Sequence, residues 1–277
     1  MTSKSKTTPD GVLAAGGVLD RIIEAKAIRL ADAKRNVPLE QLIEQHGNRA
    51  RRSFAESLAM PDRVNVIAEI KHRSPSKGII RDDFNPVSIA ESYEGAGAAA
   101  ISVLAEEDFF GGSLDHLRAI RERVKTPLLR KDFIFDEYQI HESVAAGADA
   151  VLLIVALLGD ELLARMIGLA DKAGLDALVE VHTDDEMRRA TASGARIIGI
   201  NNRDLTTFAV DLNTSYRLAQ IAPAKTIMVS ESGIKTGRDI RDLKSAGFSS
   251  FLIGEHFMRA ENPGDALREL IADANES

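Results

Sequence analysis

The feature that most constrains the fold is a short pattern that recurs five times along the chain. Each copy is the end of an amphipathic segment, a glycine and an apolar run: GAGAAAISVL, AAGADAVLLI, KAGLDALVEV, ASGARIIGIN and SAGFSSFLIG. The glycine suits the left-handed residue that follows a helix, and the apolar run suits a buried strand. The pattern therefore predicts helices that alternate with strands, as in βαβ units.

Three further apolar runs without the glycine bring the number of predicted strands to eight. The strands are Val64–Lys71, Ala100–Glu106, Pro127–Phe133, Ala150–Ala156, Ala177–His182, Ile197–Arg203, Thr226–Ser232 and Ser250–Glu255. Their starts recur roughly every 20 to 35 residues, which leaves room for one strand and one helix per unit. The spacing predicts an α/β fold, a (β/α)8 TIM barrel, with a doubly wound open sheet as the alternative.

A helical extension is predicted before the barrel. Val18 to Arg35 has an apolar stripe at helical spacing and Pro38 ends it, and two shorter helices are expected at Leu39–Gln45 and Arg52–Ala59. We expect a disordered tail over residues 1–17, the extension over 18–60 and the catalytic barrel over 61–277. The sequence leaves open whether the extension covers the bottom of the barrel or braces a lid.

Composition excludes several classes of function. The formal net charge of −7 disfavours a nucleic-acid or anionic-membrane surface, and the lack of cysteine excludes disulfides and thiolate chemistry. The N-terminus has no signal-peptide pattern, and the longest apolar run, Ala150 to Leu158, is too short to cross a membrane. We expect a cytoplasmic protein, a monomer with no obligate protein partner.

Charged, amide and hydroxyl side chains stand at the ends of five predicted strands. They are Glu69 and Lys71 on strand 1, Lys131 on strand 3, Glu180 on strand 5, Asn201 and Arg203 on strand 6, and Glu231 and Ser232 on strand 7. In such a barrel these ends meet at one mouth, where the chemistry occurs. A purely structural ring of ion pairs is the alternative, but desolvating this many charges is costly. The set therefore favours a functional pocket.

Two glycine-containing loops predict an anion site beside these charges. Gly233 in SESGI and Gly254 in LIGEH follow strands 7 and 8, where phosphate commonly binds in this fold, and they allow backbone N–H groups to approach an anion. No pair of histidines has metal-ligand spacing, and neither a nucleophile elbow nor a dinucleotide loop is present. We therefore expect no metal. The Arg130–Asp132 pair and His182 are interpreted as structural.

Taken together, these motifs resemble the indole-3-glycerol-phosphate synthase family. The resemblance extends from about Val18 to the C-terminus and depends on AEIKHRSPSKG, AISVLAEEDFFGGS, LLRKDFIFDEYQIHESVAAGADAVLLI, LVEVH, IGINNRDL, VSESGI and LIGEHFMR. The Ser-Pro-Ser loop after Glu-x-Lys, combined with RKDFI, is its most specific part. The resemblance implies a cofactor-free lyase of tryptophan biosynthesis, which acts on 1-(2-carboxyphenylamino)-1-deoxyribulose 5-phosphate.

The same resemblance implies a role for each matched residue. Lys131 would be the general acid of ring closure, Glu180 the general base of dehydration and Lys71 an assisting acid, although the lysines could exchange roles. Glu69 and Asn201 would position the lysines and the substrate hydroxyls. The remaining matches are Ser74 near the substrate carboxylate, Arg203 and Glu231 as polar walls, and Ser232, Gly233, Gly254 and Glu255 as a phosphate cup.

Two positions depart from the family pattern, and two other functions stay open. His72 stands where a longer basic residue is usual, and Ala105 stands where threonine is common. Both bear on the shape of the mouth and on affinity. The alternatives are an aldolase that forms a Schiff base through Lys131 or Lys71, and a catalytically inactive barrel that only binds phosphate.

Overall fold

Eight parallel strands close into a barrel in the computed structural model, which describes residues 9–46, 52–75 and 77–276. The strands are β1 (Asn65–Ile70), β2 (Ala100–Leu104), β3 (Leu128–Lys131), β4 (Ala150–Ile154), β5 (Asp176–Val181), β6 (Ile197–Asn201), β7 (Ile227–Glu231) and β8 (Ser250–Ile253). Each strand pairs with its neighbours in chain order, and β1 closes the ring against both β2 and β8. The predicted (β/α)8 barrel is confirmed, and the open sheet is wrong.

Helices alternate with the strands and cover the outside of the barrel. They are α1 (Gly17–Asn36), α2 (Leu39–Glu44), α3 (Phe54–Leu58), α4 (Pro86–Gly95), α5 (Leu114–Arg121), α6 (Glu137–Ala146), α7 (Asp160–Lys172), α8 (Asp184–Ala192), α9 (Asn213–Ala219), α10 (Gly237–Ser245), α11 (Glu255–Met258) and α12 (Pro263–Asn275). Side-chain caps begin many of them, and α6 and α10 carry complete capping boxes on Asp136 and Thr236. The glycine of each repeat has a positive φ just after its helix, between 76° and 98°.

The core has two layers, the inside of the barrel and the space between sheet and helices. All residues of β1, β2, β4 and β8 are buried, because a parallel sheet wrapped in helices is covered on both faces. Side chains alternate along each strand, so Glu69 points to the barrel interior while Ile70 packs outward. This alternation brings the polar strand ends together at one mouth.

The N-terminal extension contacts the barrel at its mouth, its side and its bottom. Residues Val18, Leu19 and Ile22 of α1 line the cavity at the C-terminal ends of the strands. At the opposite end, the carbonyl of Leu58 in α3 accepts hydrogen bonds from the side chains of Asn65 and Ser250. The extension therefore runs from the mouth down to the bottom of the barrel.

Part of the segment before α1 is also attached to the barrel. Leu13 N–H donates to the carbonyl of Leu157, and Gly159 N–H donates to the carbonyl of Gly11, each at 2.8 Å. This differs from the disordered tail that we expected over residues 1–17, of which 1–8 lie outside the described residues. The polar, turn-rich composition of the segment gave no sign of these backbone contacts.

A short antiparallel hairpin, Arg73–Ser74 with Gly78–Ile79, follows β1 at the mouth, and Ser76 of the Ser-Pro-Ser loop lies outside the described residues. Within the ranges described, the helices are all too short or too polar to span a bilayer.

Candidate active site

A cavity of about 1220 Å³ opens at the C-terminal ends of the barrel strands. The residues selected from sequence all line it: Glu69, Lys71, Ser74, Lys131, Glu180, Asn201, Arg203, Glu231, Ser232, Gly233, Gly254 and Glu255. They come from β1, β3, β5, β6 and β7, from the loops that follow these strands, and from Gly254 and Glu255 just after β8. The ends of six different strands therefore contribute to one pocket, as expected of a catalytic site in this fold.

Lys131 occupies the centre of a cluster of carboxylates. Its Nζ lies 3.2 Å from Glu180 Oε2 and 3.6 Å from Glu231 Oε2. Burial alone would lower the pKa of Lys131, but the charges of Glu180, Glu231 and Glu69 outweigh it and raise the pKa. The side chain is therefore an ammonium at neutral pH, able to donate a proton but not to act as a nucleophile.

Glu180 is a buried carboxylate that this ammonium keeps ionised. Burial would raise the pKa of Glu180, yet the positive charge of Lys131, the nearby His182 and hydrogen bonds from Lys131 and Asn201 lower it overall. His182 Nε2 lies 3.5 Å from Glu180 Oε1, and its Nδ1 lies 3.2 Å from Glu186 Oε2. Glu180 is thus available to accept a proton.

Glu231 differs from Glu180 although it shares the same lysine. Burial raises its pKa well above the ordinary value, and repulsion from Glu180 and Glu69 adds to this despite the attraction of Lys131. Its Oε1 faces Gly199, where an added Cβ would lie only 2.1 Å away. The pKa values of these two neighbouring carboxyls are therefore shifted in opposite directions, a pattern that often marks an acid and a base.

The second lysine pairs with the glutamate of its own strand. Lys71 Nζ lies 2.5 Å from Glu69 Oε1. Burial would raise the pKa of Glu69, but the charges of Lys71 and Lys131 lower it. A Cβ on Gly254 would come within 2.5 Å of that same oxygen, so a glycine at this position makes room for the carboxylate.

Asn201 joins the ends of two strands beside Glu180. Its Oδ1 accepts hydrogen bonds from the hydroxyl of Ser232 at 2.9 Å and from the N–H of Arg203 at 3.0 Å. Arg203 in turn donates to the carbonyl of Phe208, and its Nη2 lies 3.6 Å from Glu255 Oε2. The arginine therefore stands at the boundary between the carboxylate cluster and the predicted phosphate cup.

The predicted phosphate cup consists of Ser232, Gly233, Gly254 and Glu255. Ser232 and Gly233 both have positive φ, 67° and 89°, and this turns the chain sharply after β7. Within the described parts of the chain, no backbone or side-chain acceptor is bonded to the N–H groups of Gly233 and Gly254. The same wall carries Lys235. Free N–H groups and nearby cations suit an anion such as phosphate.

An apolar wall of the cavity was not identified from sequence. It comprises Leu104, Phe110, Phe133, Leu152 and Ile154, with Val18, Leu19 and Ile22 of α1 above them. The signal available was the end of β4, where Leu152 and Ile154 alternate without a polar residue. The contribution of α1 had no signal, because it depends on a contact that is distant in sequence.

A buried ionic network lies next to Lys131 on the outer face of β3. Asp132 pairs with Arg130 at 2.8 Å, as predicted, and also with Lys26 of α1 at 2.9 Å. Lys26 additionally contacts Glu107 in the loop after β2 at 2.7 Å. This network connects the extension to β3, the strand that carries Lys131. Lys26 was not predicted from sequence, because its partners are distant along the chain.

The two departures from the family pattern occupy ordered positions. The His72 ring stacks on Phe84, with ring centroids 4.8 Å apart, and Ala105 is fully buried at the end of β2. As for metals, the described residues contain no set of three or more His, Asp or Glu side chains arranged to hold an ion.

Comparison with known proteins gives one consistent family. A family model described as indole-3-glycerol phosphate synthase matches residues 19–270. The indole-3-glycerol phosphate synthase of Carboxydothermus hydrogenoformans is 45% identical, covering 92% of this chain and 99% of its own; that of a Thermoanaerobacter species is 46% identical, covering 93% and 98%. The solved 3-hexulose-6-phosphate synthase of Salmonella typhimurium, at 14% identity and a TM-score of 0.61, covers 76% of this chain and 97% of its own and shows the fold alone.

Proposed function

The chain belongs to the indole-3-glycerol phosphate synthase family, and we propose that its mouth catalyses the reaction for which that family is named. The substrate is 1-(2-carboxyphenylamino)-1-deoxyribulose 5-phosphate, and the products are indole-3-glycerol phosphate, carbon dioxide and water. The observation that carries the proposal is the ammonium of Lys131, buried among three carboxylates between an apolar wall and a glycine-rich cup.

The cavity can hold the two unlike ends of such a substrate. The phosphate binds at Ser232, Gly233, Gly254 and the backbone of Glu255, with Arg203 and Lys235 nearby. The aromatic ring packs between Phe110, Phe133 and α1, and its carboxylate lies toward Ser74 and the loop after β1. The ketose chain then crosses the carboxylate cluster, where the reacting atoms meet Lys131.

Ring closure needs an acid at the ketone oxygen. The ring carbon that bears the carboxylate attacks the ketone carbon, and Lys131 donates a proton to the oxygen as the C–C bond forms, leaving a hydroxyl. The carboxylate then leaves as carbon dioxide, and its electron pair restores the aromatic ring. A lysine is already protonated at neutral pH, and the carboxylates around Lys131 keep the proton in place.

Dehydration needs a base and a second acid. Glu180 removes a proton from the new ring while the hydroxyl leaves as water, with a proton supplied by Lys71. The lowered pKa of Glu180 keeps it ionised for this role. Lys71 stands against Glu69, which holds it toward the cavity. No step calls for a cofactor, and the partner is one small phosphorylated molecule in the cytoplasm.

An aldolase that forms a Schiff base is the alternative enzyme. That chemistry needs a neutral amine, whereas the carboxylates around Lys131 raise its pKa and keep it protonated. Borohydride added during turnover would trap a covalent adduct of an aldolase and leave no adduct in the reaction proposed here.

The direct test is the appearance of an indole. The chain has no tryptophan and three tyrosines, so an indole formed by the purified protein gives fluorescence against a weak background. We expect the signal to grow on addition of the substrate alone, with one carbon dioxide released per indole. Substrate binding without either product would refute the proposal and favour the phosphate-binding barrel.

A further inference from the structure

Asn202 is a buried amide directly behind the phosphate cup. It follows Asn201 at the end of β6, and alternation turns its side chain away from the cavity, toward α9. It is 2% exposed and does not line the pocket. No role was predicted for it from sequence.

The Asn202 side chain uses its full hydrogen-bonding capacity. The two hydrogens of its Nδ2 are shared among three acceptors, the carbonyl of Glu231 at 2.9 Å, the carbonyl of Ser232 at 3.1 Å and the hydroxyl of Ser230 at 3.1 Å. Its Oδ1 accepts from the N–H of Ser215 at 3.0 Å and from the hydroxyl of Ser215 at 2.8 Å. One side chain therefore connects the end of β6, the turn after β7 and the first turn of α9.

The main chain of Asn202 strengthens the same connection. Its N–H donates to the carbonyl of Glu231, and its carbonyl accepts from the N–H of Asp211, both at 2.9 Å. The second bond fixes the end of the loop after β6. In that loop Val210 packs against Gly233, where an added Cβ would approach Val210 to 2.7 Å. Asn202 therefore holds both the chain that turns at Gly233 and the end of the loop that packs against it.

The turn that Asn202 holds is strained. Ser232 has a φ of 67°, a left-handed conformation that a residue with a Cβ rarely adopts. Such a conformation persists only where the surroundings impose it. The two carbonyls that receive the Asn202 amide protons are those of Glu231 and Ser232, on either side of the strained residue's φ and ψ.

We propose that Asn202 is a positioning residue that holds Ser232 and Gly233 in the shape that binds the phosphate of the substrate. The inference rests on the proposed function, since it assigns the phosphate to this turn. Asn202 touches no substrate atom and acts through the peptide groups of Glu231 and Ser232. Its loss should therefore weaken phosphate binding more than it slows the chemical steps at Lys131.

The test compares Asn202→Asp with the wild type. Aspartate has the same shape and keeps the acceptor for Ser215, but it lacks both amide donors and places a carboxylate against two carbonyls. We expect the KM for the substrate and the Kd for inorganic phosphate, measured by calorimetry, each to rise about tenfold, the equivalent of losing one such turn restraint. We expect kcat to fall by less than about threefold.

The matched control is Ser215→Ala, which removes one hydroxyl but leaves the three acceptors of Asn202 Nδ2 in place. Its KM and phosphate Kd should stay within about twofold of the wild type. Equal losses in Ser215→Ala and Asn202→Asp would overturn the inference, as would an Asn202→Asp enzyme that loses only kcat. If Asn202→Asp does not fold, Asn202→Ser, which cannot reach both carbonyls, must show the same split.

Calorimetry separates this inference from the proposed function. Inorganic phosphate binding requires no turnover, so a wild-type protein that binds phosphate but forms no indole would refute the enzyme and leave the Asn202 comparison intact. Conversely, a wild type that forms indole and an Asn202→Asp variant with unchanged KM and Kd would refute Asn202 alone.

Discussion

Replacing Gly199 by alanine should displace Glu231 and slow the enzyme without unfolding it. Gly199 lies in β6, and a Cβ there would stand 2.1 Å from Glu231 Oε1, 3.2 Å from Glu231 Cδ and 3.3 Å from Leu178 Cδ1. Ordinary contact begins near 3.4 Å, so the carboxyl must retreat by more than 1 Å. Its present distance to Lys131 Nζ is 3.6 Å, and the retreat changes that geometry.

The structure sets the size of both effects. Overpacking a buried site costs about 1–3 kcal/mol, which we expect as a loss in the free energy of unfolding. Misplacing a group in an active site by about 1 Å can cost about 100-fold in rate, which we expect in kcat. Glu231 is only 1% exposed and lines the cavity beside Lys131, so a displacement of its carboxyl alters the geometry of the site.

Indole fluorescence gives kcat, and urea unfolding gives stability. The control is Gly168→Ala in α7, where an added Cβ meets no heavy atom within 4 Å. The free energy of unfolding of this variant should rise by about 0.5–1 kcal/mol, and its kcat should stay at the wild-type value. In the double variant Gly199→Ala with Glu231→Ser, the stability loss should disappear while activity stays low. A Gly199→Ala enzyme with wild-type kcat and stability would refute the packing argument.

Two further predictions concern buried charge. Lys26→Met removes the ammonium that pairs with buried Asp132, so it should lower the free energy of unfolding by about 3 kcal/mol. The control Lys34→Met breaks an exposed ion pair and should lower the free energy of unfolding by less than about 1 kcal/mol. Equal losses for the two variants in urea titrations would contradict this. Burial raises the pKa of Glu231, so wild-type stability should fall as pH rises above the unfolded value of about 4.3 and through the native one. Glu231→Gln lacks this loss, so its stability relative to the wild type should grow between pH 5 and pH 8; a constant difference would count against the raised pKa.

The fold could be predicted because its signal is local and repeated. Each copy of the helix–glycine–strand pattern predicts its own secondary structure, and the number of copies distinguishes a barrel from an open sheet. Boundaries differ by one or two residues: Pro127–Phe133 is predicted, whereas β3 covers Leu128–Lys131 and ends before Asp132.

The polar part of the site could also be predicted, for a geometric reason. Once the strands are known, alternation and the common mouth bring Lys131, Glu180 and Glu231 together without any knowledge of the helices. The division of proton affinity between Glu180 and Glu231 could not be predicted. It depends on distances to Lys131 and on burial, which the strand pattern does not specify.

Contacts between distant segments were the main omission. Lys26 reaches Asp132 from a helix more than a hundred residues earlier, and Leu58 caps the barrel bottom through Asn65 and Ser250. Asn202 was overlooked because alternation turns it away from the mouth, and only the structure shows which carbonyls it meets. Sequence patterns describe faces of elements, but they do not state which faces of remote elements touch.

Lys131 as the general acid is tested most sharply by comparing wild type and Lys131→Ala with the carboxyphenylamino-deoxyribulose phosphate. Wild type should produce indole, measured by its fluorescence, and carbon dioxide in equal amounts. Lys131→Ala should remain folded, bind the substrate and lose about 10²–10⁴ in kcat, the usual contribution of a general acid. Turnover by Lys131→Ala at the wild-type rate would contradict the assignment of Lys131 as the acid that closes the ring.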